Sequence, residues 1–441
     1  MTSVILACAA NGNRFSAFTQ QVSIFKMQCT ECPKISLVSV VFAMLTLLII
    51  ALLYLQQGQA KPKLKIGVLH SLTGTMATSE RPLVDALRLA VEEENQTGGV
   101  DGRQIEIVVA DCRSDADYCA QQAEKLITQD GVKALFGCWT SACRKAVKPV
   151  IEKHHHLLFY PVQYEGLEQS PDIIYTGAAP NQQIIPMALW ALQNTGNRFY
   201  LIGSDYIFPR TANLMVKDVL LAQGGKLLGE RYVPLGSGDL ALAVKEIAAL
   251  HPDFVINTLN GDSNQQFFRE LREAGISSET TPVFSTSIAE VELAAMGAEW
   301  MAGHYAAWNY FQSLPTPENK KFVARFKQRF GADRVLDDPM EASYIGVKLW
   351  VEAMRSLKTD NLSSVKITLA QQTYLAPEGI VAVDHDNRHL WKAAYIGRAG
   401  ADGQFEIIWR SEKPLQPAPF PGYRSRAEWL VMQRGLPEVQ P

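Results

Sequence analysis

The sequence predicts an α/β protein of two doubly wound parallel-sheet lobes joined by a hinge, a clamshell, with an N-terminal transmembrane or signal helix ahead of it. Three observations carry this. Short apolar runs alternate with helically periodic segments from Lys63 onward, as repeated βα units do. The alternation restarts after Ala178, Ala179 and Pro180. At 441 residues the chain also exceeds what one compact core normally holds. The formal net charge of −3 leaves no basic footprint, which argues against a nucleic-acid partner.

Taken in order, 1–34 reads as an N-terminal extension with no domain pattern, and Met27 is an alternative start. Residues 35–55 form an uncharged apolar run of 21, close to the roughly 20 that cross a bilayer as a helix. Its length favours an uncleaved anchor over a secretory signal, whose apolar region is about 7–15 residues. Gly58, Gln59 and Ala60 nevertheless offer a small-x-small cleavage site behind it, and Lys34 a positive flank. Both readings imply export. Strands are expected at 64–69, 105–110, 132–136 and 157–160, with a polar loop at 71–80 and helices at 83–95, 116–129 and 142–153. The second series places strands at 199–203, 226–233, 254–258 and 282–285 and helices at 209–223, 240–249 and 263–274. Helices at 317–330, 342–357 and 365–374 follow. After them come a hairpin of 380–383 with 391–397 and a strand at 405–409. The expected division is 63–178 with 312–375 in one lobe, 179–311 with 376–412 in the other, and a proline-rich tail, 413–441, over the surface.

Cysteine usage agrees with export. Cys8, Cys29 and Cys32 precede the apolar run, and Cys112, Cys119, Cys138 and Cys143 follow it. The last four can pair in three ways, and an oxidising compartment favours at least one disulfide. A zinc site is the rival reading, but the spacings lack paired C-x₂-C units.

The most informative segment is Gly137, Cys138, Trp139, Thr140, Ser141, followed about twenty residues later by Phe159, Tyr160, Pro161, Val162, Gln163 and Tyr164. Each half follows a strand-like run, so both lie where parallel strands end. That is the crevice in which open α/β sheets bind small ligands. Hydroxyls, a flat aromatic and a carboxamide there suit a small, neutral, hydrogen-bonding molecule. No nucleophile with a base, metal set or phosphate loop accompanies them. Capture without chemistry is the expectation, with no enzyme activity and no cofactor.

The chain from 63 to 421 resembles the urea-binding and short-chain-amide-binding members of the type I periplasmic binding proteins. The strings that carry the resemblance are GVLHSLTGTMA, FGCWTSACRKAV, YPVQYEG, YTGAAPNQQ, GSDYIFPRTAN, NTLNGDSN, GHYAAWNYF and DGQFEI, in that order. WTS and YPVQYEG are closer to the urea-transporter branch than to the amide-sensor branch. The resemblance implies two lobes joined by three crossovers, with a ligand closed between them. It further implies a periplasmic protein that hands urea, or a short amide, to ABC transporter permease subunits in the membrane.

Such ligands are planar, with one carbonyl acceptor and N–H donors, and a buried polar group left unmatched costs about 1–3 kcal/mol. Ser141 and Thr140 can donate, and Gln163 can do either through its amide. Trp139 and Tyr160 would cover the flat faces, although packing alone buries many large aromatics. From the other lobe Asp205 can accept N–H groups while Tyr206 and Phe208 close over the ligand. The plainer role for Asp205 is the N-cap of a helix near Pro209. Asn260 and Asp262 follow a strand and either reach the cleft or make a turn. Amino-acid-binding relatives need an acidic group for the ligand ammonium, and here Ser285, Thr286, Ser287 and Ile288 carry none before Glu290.

Weaker signals read as structure. His154, His155 and His156 form a solvated helix end, because consecutive residues cannot converge on a metal. His385 and His389 read as surface turn residues. Asp111, Asp115 and Asp117 lack the glycine and closing Glu of a calcium loop. A ligand sensor coupled to a signalling partner is the alternative function. An amidohydrolase is disfavoured because no G-x-S-x-G, S-x-x-K or metal set appears.

Overall fold

The computed structural model describes residues 36–57 and 61–437 and falls into two units, Met1–Ala60 and Lys61–Pro441. In the first unit the described segment is helix α1 (Leu37–Gln57), whose apolar side chains at 38–48 are exposed. Among the described residues no helix is long and apolar enough to cross a membrane. The expected membrane or signal helix is therefore met only as α1, and the side chains of its second half lie outside the described residues. So does the expected extension 1–34.

The second unit opens with β1 (Leu64–His70), α2 (Ala77–Gln96), β2 (Ile105–Asp111), α3 (Ala116–Thr128), β3 (Leu135–Gly137), α4 (Ser141–Lys153), β4 (Leu158–Tyr160) and β5 (Ile173–Tyr175). These strands form one parallel sheet in the order β2-β1-β3-β4-β5. Next come α5 (Ile184–Asn194), β6 (Arg198–Ser204), α6 (Ile207–Ala222), β7 (Lys226–Val233), α7 (Ala241–Leu250), β8 (Phe254–Thr258), α8 (Ser263–Glu273), β9 (Val283–Ser285), α9 (Glu290–Met296) and β10 (Tyr305–Trp308). Helices α10 (Pro317–Phe330), α11 (Asp338–Leu357) and α12 (Leu362–Leu369) return to the first sheet, where Trp350 of α11 meets Phe136 of β3 edge to face. Strands β11 (Thr373–Ala376), β12 (Gly379–Val383) and β13 (Leu390–Trp391) make a small antiparallel sheet. Strands β14 (Tyr395–Ala399) and β15 (Phe405–Arg410) then complete the second sheet, ordered β15-β14-β10-β9-β8-β6-β7, and α13 (Arg426–Arg434) ends the described chain.

The chain thus passes between the two sheets three times, after β5, after β10 and before β14. One side chain ties the passages together: the Asn309 carboxamide donates to Gln182 O at 3.1 Å and to Ala393 O at 2.7 Å. Its neighbourhood is rich in buried acid. Glu290, Glu292, Asp337, Asp338, Glu341 and Glu378 are all buried there with Lys392.

Several elements differ from the sequence expectation. Helix α2 starts at Ala77, inside the expected polar loop 71–80, because those polar groups are satisfied internally. Buried Glu80 accepts from Ser71 N at 2.8 Å and lies 3.0 Å from His70 Nδ1, while Ser79 Oγ donates to Glu292. The expected helix 365–374 stops at Leu369, and Thr373 and Tyr374, both good strand formers, pair with β12. The expected hairpin keeps only two pairs, Ala382 with Trp391 and Val383 with Leu390, before the chain leaves for the other sheet. The tail is not only a surface wrap. Ser425 and Glu428 form a capping box for α13, which buries Trp429.

Two histidine readings are also corrected. His156 is buried with Nε2 3.0 Å from Val132 O, while His154 contacts Glu124 at the end of α4. His389 is no surface residue: it stacks on Tyr175 at 4.1 Å and its Nε2 lies 2.6 Å from the Tyr164 hydroxyl. Burial holds its imidazole down at about 3. Asp111 accepts from Leu72 N, Arg113 N and Thr73 Oγ1, and Asp115 caps α3, so both serve the backbone. The four described cysteines form Cys112–Cys119 and Cys138–Cys143 disulfides.

Candidate ligand-binding cleft

The site is placed by the carboxyl ends of β3, β4, β6 and β8. At the end of β3, Gly137 passes so close to β1 that a Cβ would lie 2.0 Å from Leu69 O, and its φ of 146° is one that favours glycine. Cys138 follows in the left-handed region at φ 61°, and the chain turns into α4. Thr140 caps that helix by accepting from Cys143 N at 3.1 Å, and the Cys138–Cys143 disulfide closes a ring around Trp139, Thr140 and Ser141. These three side chains are therefore held by backbone, cap and crosslink together.

A tight cavity, too narrow to hold a water molecule, lies between the ends of the two sheets, lined by Trp139, Ser141, Val162, Gln163, Tyr206, Phe208 and Asn260. It brings together six of the ten side chains singled out from sequence. Contacts across it join the sheets. Trp139 Nε1 donates to Asn260 Oδ1 at 3.3 Å, and Gln163 Nε2 donates to Thr286 O at 2.8 Å and Ser287 Oγ at 3.1 Å. Gln163 Oε1 is buried without a partner. Tyr206 is buried, which drives its phenol well above the ordinary range and leaves it a neutral hydroxyl.

The other four lie elsewhere. Tyr160 sits one layer behind, its hydroxyl donating to Trp139 O at 2.6 Å, so it orients the indole without lining the cavity. Thr140 and Asp205 face a larger cleft of about 420 Å³, which Glu80, Asp115, Cys143 and Tyr206 also line. The plainer alternative for Asp205, capping α6, is not met, because Tyr206 occupies the N-cap position. Its carboxylate accepts from Arg210 Nε at 2.6 Å instead. Asp262 is exposed at the start of α8, with its backbone N 3.4 Å from Thr75 Oγ1.

Behind Ser141 lies a network that the sequence did not single out. Arg144, fully buried, donates from Nη1 to Ser141 Oγ at 2.9 Å, from Nη2 to Glu165 Oε1 at 3.1 Å and from Nε to Glu168 Oε1 at 2.9 Å. Ser141 Oγ lies 2.5 Å from Glu165 Oε2. The guanidinium also sits 4.9 Å over the Tyr160 ring and 4.5 Å over that of Tyr164. Burial alone would raise the Glu168 carboxyl, but Arg144, helped by Lys145 and Lys148, holds it at about 2. The available signal was weak: Arg144 stands three residues after Ser141 on one helix, and Glu165 lies within the YPVQYEG string.

Two α/β sheets joined by three chain passages, with polar and aromatic side chains converging between their strand ends, are the architecture of a solute-binding protein. The chain belongs to the periplasmic binding protein family: the family model described as "Periplasmic binding protein domain" matches residues 64–426. This is a family of binding proteins and not of enzymes, and it implies a place outside the cytoplasm. Over 340 residues the chain is 22% identical to the Leu/Ile/Val-binding protein homolog 6 of Brucella melitensis, covering 75% of this chain and 86% of that one. A shorter stretch of 124 residues is 38% identical to a limonene hydroxylase of Geobacillus stearothermophilus, of whose length this chain spans 23%. Among solved structures, an ABC transporter solute-binding protein from R. palustris in complex with 4-hydroxybenzoate superposes with a TM-score of 0.73 at 21% identity. That match covers 80% of this chain and 98% of that one.

Proposed function

We propose that this protein captures urea, or a short-chain amide, in the cavity between Trp139 and Asn260 and delivers it to an ABC transporter permease. The observation that carries the reading is the lining itself. It closes around a space too tight for a water molecule, so it would part only slightly for a ligand of a few atoms, and none of its seven side chains is ionised. The nearby cation, Arg144, is taken up by Glu165 and Glu168. A carboxylate such as 4-hydroxybenzoate, or a zwitterion such as leucine, would be buried without a counter-charge, which is costly. A planar neutral amide meets what is there: the Asn260 carboxamide, the Tyr206 hydroxyl, the free Gln163 carbonyl oxygen, and the Trp139 and Phe208 rings. In this reading 63–178 with 312–375 and 179–311 with 376–412 are the two lobes that close over it. The 35–55 run exports or tethers the protein, and the amino terminus of protein recovered from cells distinguishes the two.

Isothermal calorimetry and thermal melting of the purified chain test the ligand. Urea, acetamide or formamide should bind and raise the melting temperature, since a ligand at a hundred times its Kd stabilises the folded state by about 2.7 kcal/mol. Leucine and 4-hydroxybenzoate should do neither. Stabilisation by leucine or the benzoate, with no effect of urea or amides at saturating concentration, would show the assignment to be wrong.

A further inference from the structure

We infer that Arg144 and Glu165 are positioning residues that make Ser141 a hydrogen-bond acceptor, so that the site selects ligands with N–H groups on two edges over those with one. The inference rests on the proposed capture of urea or an amide and narrows it. A guanidinium has only donors and a carboxylate only acceptors. Ser141 Oγ touches one of each, Arg144 Nη1 at 2.9 Å and Glu165 Oε2 at 2.5 Å. Its single hydrogen must therefore go to Glu165, and one lone pair is filled by Arg144. What Ser141 has left for the cavity is its other lone pair. Ser141, by residue type a candidate donor to a ligand oxygen, instead receives an N–H.

Gln163 is oriented by the same logic. The atom facing the carbonyl of Thr286 at 2.8 Å must be nitrogen, because two carbonyl oxygens cannot bond, and Oε1 is then the atom left without a partner. The cavity thus offers acceptors from Ser141 and Gln163, two residues on separate loops. Donors for a ligand oxygen come from the remaining Asn260 Nδ2 hydrogen, the other being given to Thr258 O, and from the Tyr206 hydroxyl. Urea satisfies both acceptors with its two NH₂ groups. Acetamide, in which a methyl replaces one NH₂ at nearly the same size, leaves one acceptor buried and unmatched.

The test is the ratio of acetamide to urea dissociation constants, measured by calorimetry in the wild type, Glu165→Gln and Ser141→Ala. The wild type should prefer urea by roughly tenfold to a hundredfold, the usual effect of one stranded buried acceptor. In Glu165→Gln the carboxamide can donate to Ser141, which frees the hydroxyl to turn toward the ligand, so the preference should collapse toward unity. Ser141→Ala, which leaves the Arg144–Glu165 pair intact, should weaken urea while changing acetamide little. Melting curves establish that each variant is folded, and if Glu165→Gln is not, Ser141→Ala decides alone. A wild type that binds urea and acetamide equally, or variants that keep the wild-type ratio, would overturn this inference and leave amide capture standing. A wild type that binds neither overturns both.

Discussion

Replacing Lys392 with methionine should cost the folded state about 3–5 kcal/mol at pH 8.5, the usual consequence of removing one partner of a buried ion pair, and clearly less at pH 6. Lys392 is fully buried, 3.0 Å from the Glu378 carboxylate and donating to Thr176 O at 3.0 Å. Burial pushes Glu378 up to about 7 even with that cation beside it, and pushes Glu290 up to about 8. Both therefore hold protons in the folded chain that the unfolded chain releases above about pH 4.5. The stability they contribute is complete below that value and is lost as pH rises through about 7 and then about 8. The slope is close to 1.4 kcal/mol per pH unit for each such group. Buried His304 and His389, lowered to about 4 and 3 by burial, are neutral in both states above about pH 7 and do not mask this trend. The wild type should accordingly lose stability between pH 6.5 and 8.5. Lys392→Met should fall further behind it across the same range, because Glu378 ionises only where its cation is present. Guanidinium chloride denaturation at both pH values measures this, urea being unsuitable as a candidate ligand. A stability difference that does not grow with pH would show that Lys392 compensates no buried carboxylate.

Arg144→Met should be about as damaging, again about 3–5 kcal/mol at pH 7, because it leaves Glu165 and Glu168 buried without their shared cation. Lys145→Met is the contrasting case. Its amine is 3.3 Å from Glu168, but the side chain is 35% exposed, so water replaces much of the interaction and the loss should stay under about 1 kcal/mol. Ligand binding should separate the two further. Arg144→Met removes the donor that fixes Ser141 and the cation that covers Tyr160, whereas Lys145→Met touches neither. Equal stability losses from the two substitutions would mean that the network is solvated in solution and does not organise the site.

Much of the architecture was legible because it repeats. Strands such as Leu64–His70, Ile105–Asp111 and Phe254–Thr258 are short and mostly apolar, as strands of a parallel sheet tend to be, and α8 and α10 have clear polar and apolar faces. The misses share a cause. Ile173–Tyr175 and Tyr305–Trp308 are three and four residues long, too short for periodicity to register, and exist as strands because neighbours supply their hydrogen bonds. Helix α5, Ile184–Asn194, is apolar on most sides and carried no stripe to find.

At the site, the sequence by itself determined which residue types gather at the strand ends, and Trp139, Ser141, Gln163, Tyr206, Phe208 and Asn260 do line one cavity. The reason is local: a strand that ends in a sharp turn presents the next few side chains at the sheet edge, wherever the rest of the chain goes. What those side chains can do was decided by tertiary structure. Ser141 has the same hydroxyl in any context, but only the placement of Arg144 and Glu165 against it makes it an acceptor. Asp205 has the same carboxylate, and Arg210 draws it away from the cavity. Hydrogen-bond polarity and charge are properties of neighbours in space, and those neighbours are fixed only when the fold brings distant segments together.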